Sequence, residues 1–301
     1  MISKLKAIEI QTISCCNSKC IVCPWIQIKD SVPKQSMSEY IWNKVLEGIS
    51  ALVPDIIYPY NNNEPLLDKK IESRILDLRS VSPRSYIELS TNGLLLTERL
   101  SRFLVNNVDS IVISLFGSDE PDNLKLMGKG MSYNKIKNNI LELKKVNEES
   151  GSKSNINVSK LIDSPFMSND TVLKDWIFWE DEGIPVRYYT FVDRCTNVGD
   201  FKQRDRTIKA YGCVYNRHTT STFIRYNGDV YFCCYDWRNE YIMGNLHENS
   251  LPDIINGEKY NRIRKMVDGI IDSDVDFLCK KCLHCKTYPI NIKKENEVFP
   301  I

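Results

Sequence analysis

Short β-branched runs alternate with longer amphipathic ones along the first two-thirds of the chain. Residues 7–13 (AIEIQTI), 56–61 (IIYPYN), 86–91 (YIELST), 110–115 (SIVISL), 156–160 (INVSK) and 186–191 (VRYYTF) read as strands. Helical periodicity fills the spaces between them, over 38–52, 68–81, 97–105, 133–147 and 169–182. Thr97 with Glu98, and Ser168-Asn169-Asp170, supply helix starts. This rhythm predicts an α/β fold of β-then-α units around a parallel sheet, open or curled toward a barrel. Chemistry in such folds gathers at the carboxyl ends of the strands. A cysteine group follows strand one there, Asn61-Asn62-Asn63-Glu64-Pro65 follows strand two, Thr91-Asn92-Gly93 follows strand three, and Ser114 ends strand four. Singly, each reads as a turn residue or helix cap. Together on one rim they point to a site.

After about residue 200 the pattern changes. A charged linker (200–207) leads to alternating residues on either side of Asn227-Gly228, a hairpin signal. A helix is expected over 250–267, then a cysteine knuckle and a polar tail. The domains expected are therefore 1–204, 205–290 and a tail at 291–301.

Composition narrows the function classes. Forty basic and thirty-nine acidic residues leave a net charge of +1, which argues against nucleic-acid and anionic-membrane partners. No signal-peptide core and no long apolar run occur, so a cytoplasmic location is expected. Reduced thiols in that compartment bind metal or do chemistry more often than they pair. The chain has eleven cysteines.

Cys16, Cys20 and Cys23 form a C-x3-C-x2-C loop, with Cys15 just before it. Three thiolates on so short a loop can wrap one face of a cubane iron–sulfur cluster and leave one iron open, the mark of a reactive site. A zinc knuckle completed by Cys15 is the structural alternative. On this loop and its rim the chain resembles the radical S-adenosylmethionine superfamily. That resemblance implies a partial (β/α)6 barrel and a [4Fe–4S] cluster on Cys16, Cys20 and Cys23 whose open iron chelates S-adenosylmethionine. Asn62-Asn63-Glu64-Pro65 stands where the family has Gly-Gly-Glu-Pro, and it makes Glu64 a contact to the methionine amino group. Asn92, Ser114 and Ser159 look like the cofactor positions of strands three to five. Val22 replaces the family's aromatic beside the third cysteine, so adenine would pack on Val22 and Trp25.

The later cysteines have a second logic. Cys213 is followed by fourteen residues, Gly228, four residues and Cys233, and then by Cys279, Cys282 and Cys285 two residues apart. Four soft ligands suit tetrahedral zinc or a fully ligated [4Fe–4S] cluster. The spacing resembles the SPASM/twitch extension of radical S-adenosylmethionine enzymes. The resemblance implies the shorter twitch form, a β-hairpin plus helix holding one auxiliary cluster on Cys213, Cys233, Cys279 and Cys282. Side chains alternate along a strand, which makes Cys233 rather than Cys234 the ligand. Cys285 is a substitute or a spare thiol. Among twitch enzymes the segment is most similar to dehydrogenases of the 2-deoxy-scyllo-inosamine type.

That likeness implies oxidation of an alcohol to a ketone. A 5′-deoxyadenosyl radical removes a hydrogen atom, the auxiliary cluster accepts an electron, and a flavodoxin- or ferredoxin-type protein is the reductant. Arg194 and Asp193, on the loop after strand six, are read as the substrate-holding and proton-accepting groups. Cys195 opens a second outcome, an epimerase in which its thiol returns a hydrogen atom; otherwise it is a small buried apolar residue. A strand-one loop that begins at once favours a small hydroxylated substrate, a sugar or aminocyclitol, over a peptide, although peptide (RiPP) maturation stays open. The non-enzymatic readings are an iron–sulfur electron carrier and a zinc-stabilised binding module. His218, His247 and His284 read as surface or turn residues.

Overall fold

Strand residues set the alternation that builds the sheet. The computed structural model of this chain describes residues 2, 4–161, 169–190, 192, 194–195 and 209–287. Asp193, the predicted linker, the 204/205 boundary and the polar tail lie outside them. Among the described residues nine strands occur in chain order: β1 (Ala7–Ile10), β2 (Ile56–Tyr58), β3 (Tyr86–Thr91), β4 (Ser110–Ser114), β5 (Asn155–Leu161), β6 (Val186–Tyr189), β7 (Ser221–Ile224), β8 (Asp229–Tyr231) and β9 (Ile242–Asn245). The helices are α1 (Trp25–Ile28), α2 (Glu39–Leu52), α3 (Ile71–Val81), α4 (Glu98–Asn107), α5 (Glu120–Met127), α6 (Tyr133–Glu149), α7 (Asn169–Asp181), α8 (Arg217–Thr220), α9 (Leu251–Asn256) and α10 (Glu258–Val267).

All nine strands lie in one sheet of order β6-β5-β4-β3-β2-β1-β7-β8-β9. The first six pair in parallel, as helical crossovers require. The sheet does not close, so the predicted partial barrel is the fold. Ile8, Ile10, Ile57, Ile87, Leu89, Ile111, Ile113 and Val158 have no exposed surface and lie in the core with α2, α3, α4 and α6. Their strand neighbours face the opposite way, into the lumen. The registers Glu9↔Tyr58, Glu88↔Ser110, Ser114↔Ser159 and Ser159↔Arg187 put those residues on that inner face.

The C-terminal hairpin is part of the same sheet. β7 pairs in parallel with β1, matching Glu9 to Phe223, and β8 and β9 follow antiparallel. Gly228 turns the hairpin with φ +87°, and a methyl there would meet Ile41 Cδ1 at 2.7 Å. Two expectations need correction. The single helix over 250–267 is two helices, because Gly257 takes an extended backbone (φ −68°, ψ 164°) between α9 and α10. Helix α5 was missed: its amphipathic pattern is weak, and Asp119 accepting from the Asp122 N–H starts it.

Candidate active site

The first cysteine loop leaves β1 and is pinned to α5 through its backbone. Lys19 N–H donates to Met127 O and Ile21 N–H to Leu126 O, each at 2.9 Å. Gly128 lets the two segments approach, since a methyl there would lie 3.0 Å from Lys19 Cβ. The Cys16, Cys20 and Cys23 thiols stand within electrostatic reach of one another. Burial raises all three above the ordinary thiol range, Cys20 to about 12. As bare thiolates they would repel and lack solvation, and iron would supply the missing positive charge. A donor already aims at one sulfur, Ser18 N–H to Cys16 Sγ at 3.4 Å, and Ser18 Oγ, which donates to Met127 O at 2.8 Å, lies 2.9 Å from Cys20 Sγ. Cys15 instead faces Lys34, Asp68 and Glu64.

The rim residues predicted for cofactor contact knit the loops together. Glu64, 2% exposed, accepts from Leu66 N–H at 3.0 Å, Thr91 Oγ1 at 2.6 Å and Asn92 N–H at 2.8 Å. Burial nevertheless pushes its carboxyl up to about 7. Asn92 Nδ2 donates to Asn17 Oδ1 at 2.7 Å, tying the β3 end to the cysteine loop. Ser114 and Ser159 stand side by side on the inner face. Val22 is half-buried and packs on the core.

The second cysteine group gathers where the hairpin meets the C-terminal knuckle. Cys213, Cys233, Cys279, Cys282 and Cys285 line one pocket. Cys233 faces Cys279 and Cys282, whereas Cys234 faces Arg217 and Arg194. Its hydrogen bond to Cys233 and those two cations hold Cys234 at about 6, against the pull of burial. Cys285 forms a β-bridge with Cys213. Among the described residues no three His, Cys, Asp or Glu side chains converge as tightly as a single metal ion requires. A four-iron cluster is larger than one ion and takes its thiolates from a wider ring.

Cys195 lies at this second group. It is 3% exposed, with φ +62°, and its thiol hydrogen-bonds Cys282, which lowers the Cys282 thiol. Arg194 lies over the Tyr235 and Trp237 rings, 5.6 and 5.4 Å from their centroids. Its charge reaches Cys23, Glu9 and Cys234. One of the three histidines differs from expectation: His218 is buried on Asp268 at 2.8 Å, whereas His284 sits in a turn and meets Tyr235 Oη at 3.0 Å.

Between the cysteine groups lies a polar lumen that the motifs did not reveal. Glu9 accepts from Asn61 Nδ2 at 2.6 Å, and Tyr231 Oη donates to Asn61 Oδ1 at 2.9 Å. Across the lumen Arg187 pairs with Glu88 at 3.0 Å, and Tyr60 Oη donates to Glu88 at 3.3 Å. The available signal was alternation: Glu9 and Glu88 each sit between apolar residues of a strand.

A family model described as an iron–sulfur cluster-binding domain, SPASM, matches residues 213–286. The GTP 3′,8-cyclase of Aquifex aeolicus (strain VF5) is 25% identical over 207 residues, covering 66% of this chain and 61% of that protein. This chain thus spans less than two-thirds of that relative's length. Among solved structures, BtrN in complex with AdoMet and 2-DOIA superposes with a TM-score of 0.61 at 19% identity, over 94% of each chain. SuiB of Streptococcus suis bound to precursor peptide SuiA gives 0.69 at 15%, over 87% of this chain and 67% of that one. anSMEcpe with AdoMet and Cp18Cys peptide gives 0.66 at 15%, over 92% and 86%. At these identities the structural likeness is one of fold.

The chain thus combines an open parallel barrel of the same fold as these structures, a three-thiol loop on its rim and an iron–sulfur cluster-binding SPASM segment. More particularly, residues 213–286 match the SPASM model, and BtrN superposes on the chain over nearly its whole length. Three half-buried, mutually close thiols on the rim loop and five thiols lining the second pocket are donor sets suited to iron–sulfur clusters. No helix among the described residues is long and apolar enough to cross a membrane.

Proposed function

We propose that the chain oxidises a secondary alcohol of a small, hydroxylated substrate to a ketone. The observation that carries this reading is the position of the lumen: Arg194 lies in reach of Cys23, of Glu9 and of Cys234, so one chamber borders both cysteine groups. Cys16, Cys20 and Cys23 are assigned to the rim cluster, and Cys213, Cys233, Cys279 and Cys282 to the auxiliary one. When bound, these groups and S-adenosylmethionine supply a 5′-deoxyadenosyl radical and an electron acceptor. The substrate carbinol loses its C–H hydrogen as an atom, its hydroxyl proton to a protein base, and one further electron, which balances alcohol to ketone.

The chain's own residues hold and shield the substrate. The Glu88–Arg187 pair and the Tyr58, Tyr60 and Tyr231 hydroxyls offer hydrogen bonds suited to a polyol. Arg194 holds a substrate oxygen and is too basic to take its proton. Asp193 is assigned the proton. A flavodoxin- or ferredoxin-type protein serves as reductant, and the cytoplasm as location. Cys195 turned toward Cys282 favours oxidation over a thiol hydrogen return.

The test is isotopic. A polyol deuterated at the reacting carbon, given to anaerobically reconstituted enzyme with S-adenosylmethionine and reductant, transfers its deuterium to 5′-deoxyadenosine and yields an equal amount of carbonyl product. Solvent deuterium appearing at that carbon without carbonyl formation would reject the dehydrogenase in favour of an epimerase.

A further inference from the structure

Arg217 opens α8 just beyond Cys213 and lines the pocket of the second cysteine group. Aromatic rings hold its guanidinium, which lies 4.6 Å from the Tyr215 centroid and 5.2 Å from that of Tyr235. Rings fix a cation through their quadrupole and bring no countercharge. The neighbouring carboxylates do not neutralise it either. Asp268 is taken by His218 at 2.8 Å, and Glu9 keeps its proton up to about 8, so it carries little charge at neutral pH. What faces the guanidinium is sulfur. Its charge acts on Cys213, Cys233 and Cys282, three of the four thiols assigned to the auxiliary cluster, and on Cys234 beside them. The rim set is placed differently: Cys16 and Cys20 face the Glu64 carboxylate and neighbouring thiols, and Arg194 reaches Cys23.

On the dehydrogenase reading of the chamber, we infer that Arg217 is the countercharge of the auxiliary cluster, a positioning residue that favours its reduced state and so fits it to take the substrate's second electron. A [4Fe–4S] group on four thiolates is an anion, and reduction adds one more negative charge. A fixed guanidinium stabilises the more negative state more and so raises the potential, for which net charge is one of the levers. Arginine keeps its charge at every working pH, so the bias is permanent. The electron it favours is the one left after the carbinol gives up its hydrogen atom, and the hydroxyl proton goes to the base assigned above.

The experiment is a redox titration of anaerobically reconstituted protein followed by electron paramagnetic resonance. A variant with Cys16, Cys20 and Cys23 all replaced by Ala identifies the auxiliary signal. Arg217→Met keeps its iron, and its ratio of reduced to oxidised auxiliary cluster at a fixed potential falls about tenfold, equal to about 59 mV in the midpoint. Arg217→Lys keeps the charge and recovers at least about half of that change. The rim midpoint stays at its wild-type value. In a Cys234→Ser background, Arg217→Met has the same effect. An unmoved auxiliary midpoint in Arg217→Met overturns the inference, and so does an equal fall in Arg217→Lys, which makes the effect one of shape. An effect that vanishes with Cys234→Ser overturns it too, as does zinc in place of iron at the second site. Should Arg217→Met fail to hold its iron, Arg217→Gln carries the same comparison. A shifted midpoint in an enzyme that yields no carbonyl keeps the countercharge and removes the dehydrogenase; carbonyl product with an unmoved midpoint does the reverse.

Discussion

Glu9 is a half-buried carboxylate and Glu64 a buried one, and their surroundings divide their work. Glu64 accepts from Leu66 and Thr91 on one oxygen and from Asn92 on the other, so it fastens the β2 loop to the β3 end and keeps acceptor capacity on Oε2. Glu9 has one donor, Asn61, and keeps its proton well above the ordinary range. The sign of the pH effect follows. Folded Glu9 holds its proton up to about 8, while its unfolded value is near 4.5, so the folded state binds more protons in between and loses stability as pH rises through that window. Replacing Glu9 by Gln removes that titration. The melting temperature of Glu9→Gln relative to wild type therefore rises between about pH 5 and about pH 9, by the equivalent of about 1 kcal/mol or more. A flat difference across that range contradicts the burial assigned to Glu9. The cysteine spacings were legible because each set of ligands is close along the chain. Glu9 was not, because its role depends on which face of a curved sheet it occupies and on a tyrosine far away in sequence, Tyr231.

The hairpin of β7 and β8 shows how an element carries the second site. Gly228 permits a turn at φ +87° and leaves room for Ile41 of α2 and Asn245 of β9. Gly228→Ala strains that backbone and pushes on Ile41, at a cost of about 1–3 kcal/mol. Because Cys213 and Cys233 lie on either side of this turn, the variant loses iron from the auxiliary set while the rim set keeps its share. Iron and sulfide analysis of the reconstituted variant checks this; unchanged iron would remove the turn from the ligand scaffold. The Asn-Gly hairpin and most crossovers were readable from alternation and periodicity. Helix α5 was not, since its cap and its contacts with the cysteine loop hold it rather than an apolar stripe. The break at Gly257 escaped notice for a related reason: α9 and α10 each continue one apolar periodicity across it.

For the whole molecule, the telling feature is the β1–β7 pairing. It joins the SPASM segment to the barrel in one nine-stranded sheet and brings Cys234 and Arg217 to the lumen floor near Glu9. Sequence division into a barrel and a following module could not show that, because parallel pairing between strands two hundred residues apart leaves no local pattern. The central claim is that two clusters border one chamber, the rim cluster being the reactive one. Its direct measurement is 5′-deoxyadenosine formed from S-adenosylmethionine by reduced, anaerobically reconstituted protein carrying about eight irons per chain. The account predicts that wild type forms it, and that Cys16→Ala, Cys20→Ala and Cys23→Ala each abolish it while keeping about half the iron. Fully loaded wild type that forms none, or formation that survives loss of all three rim cysteines, would contradict it.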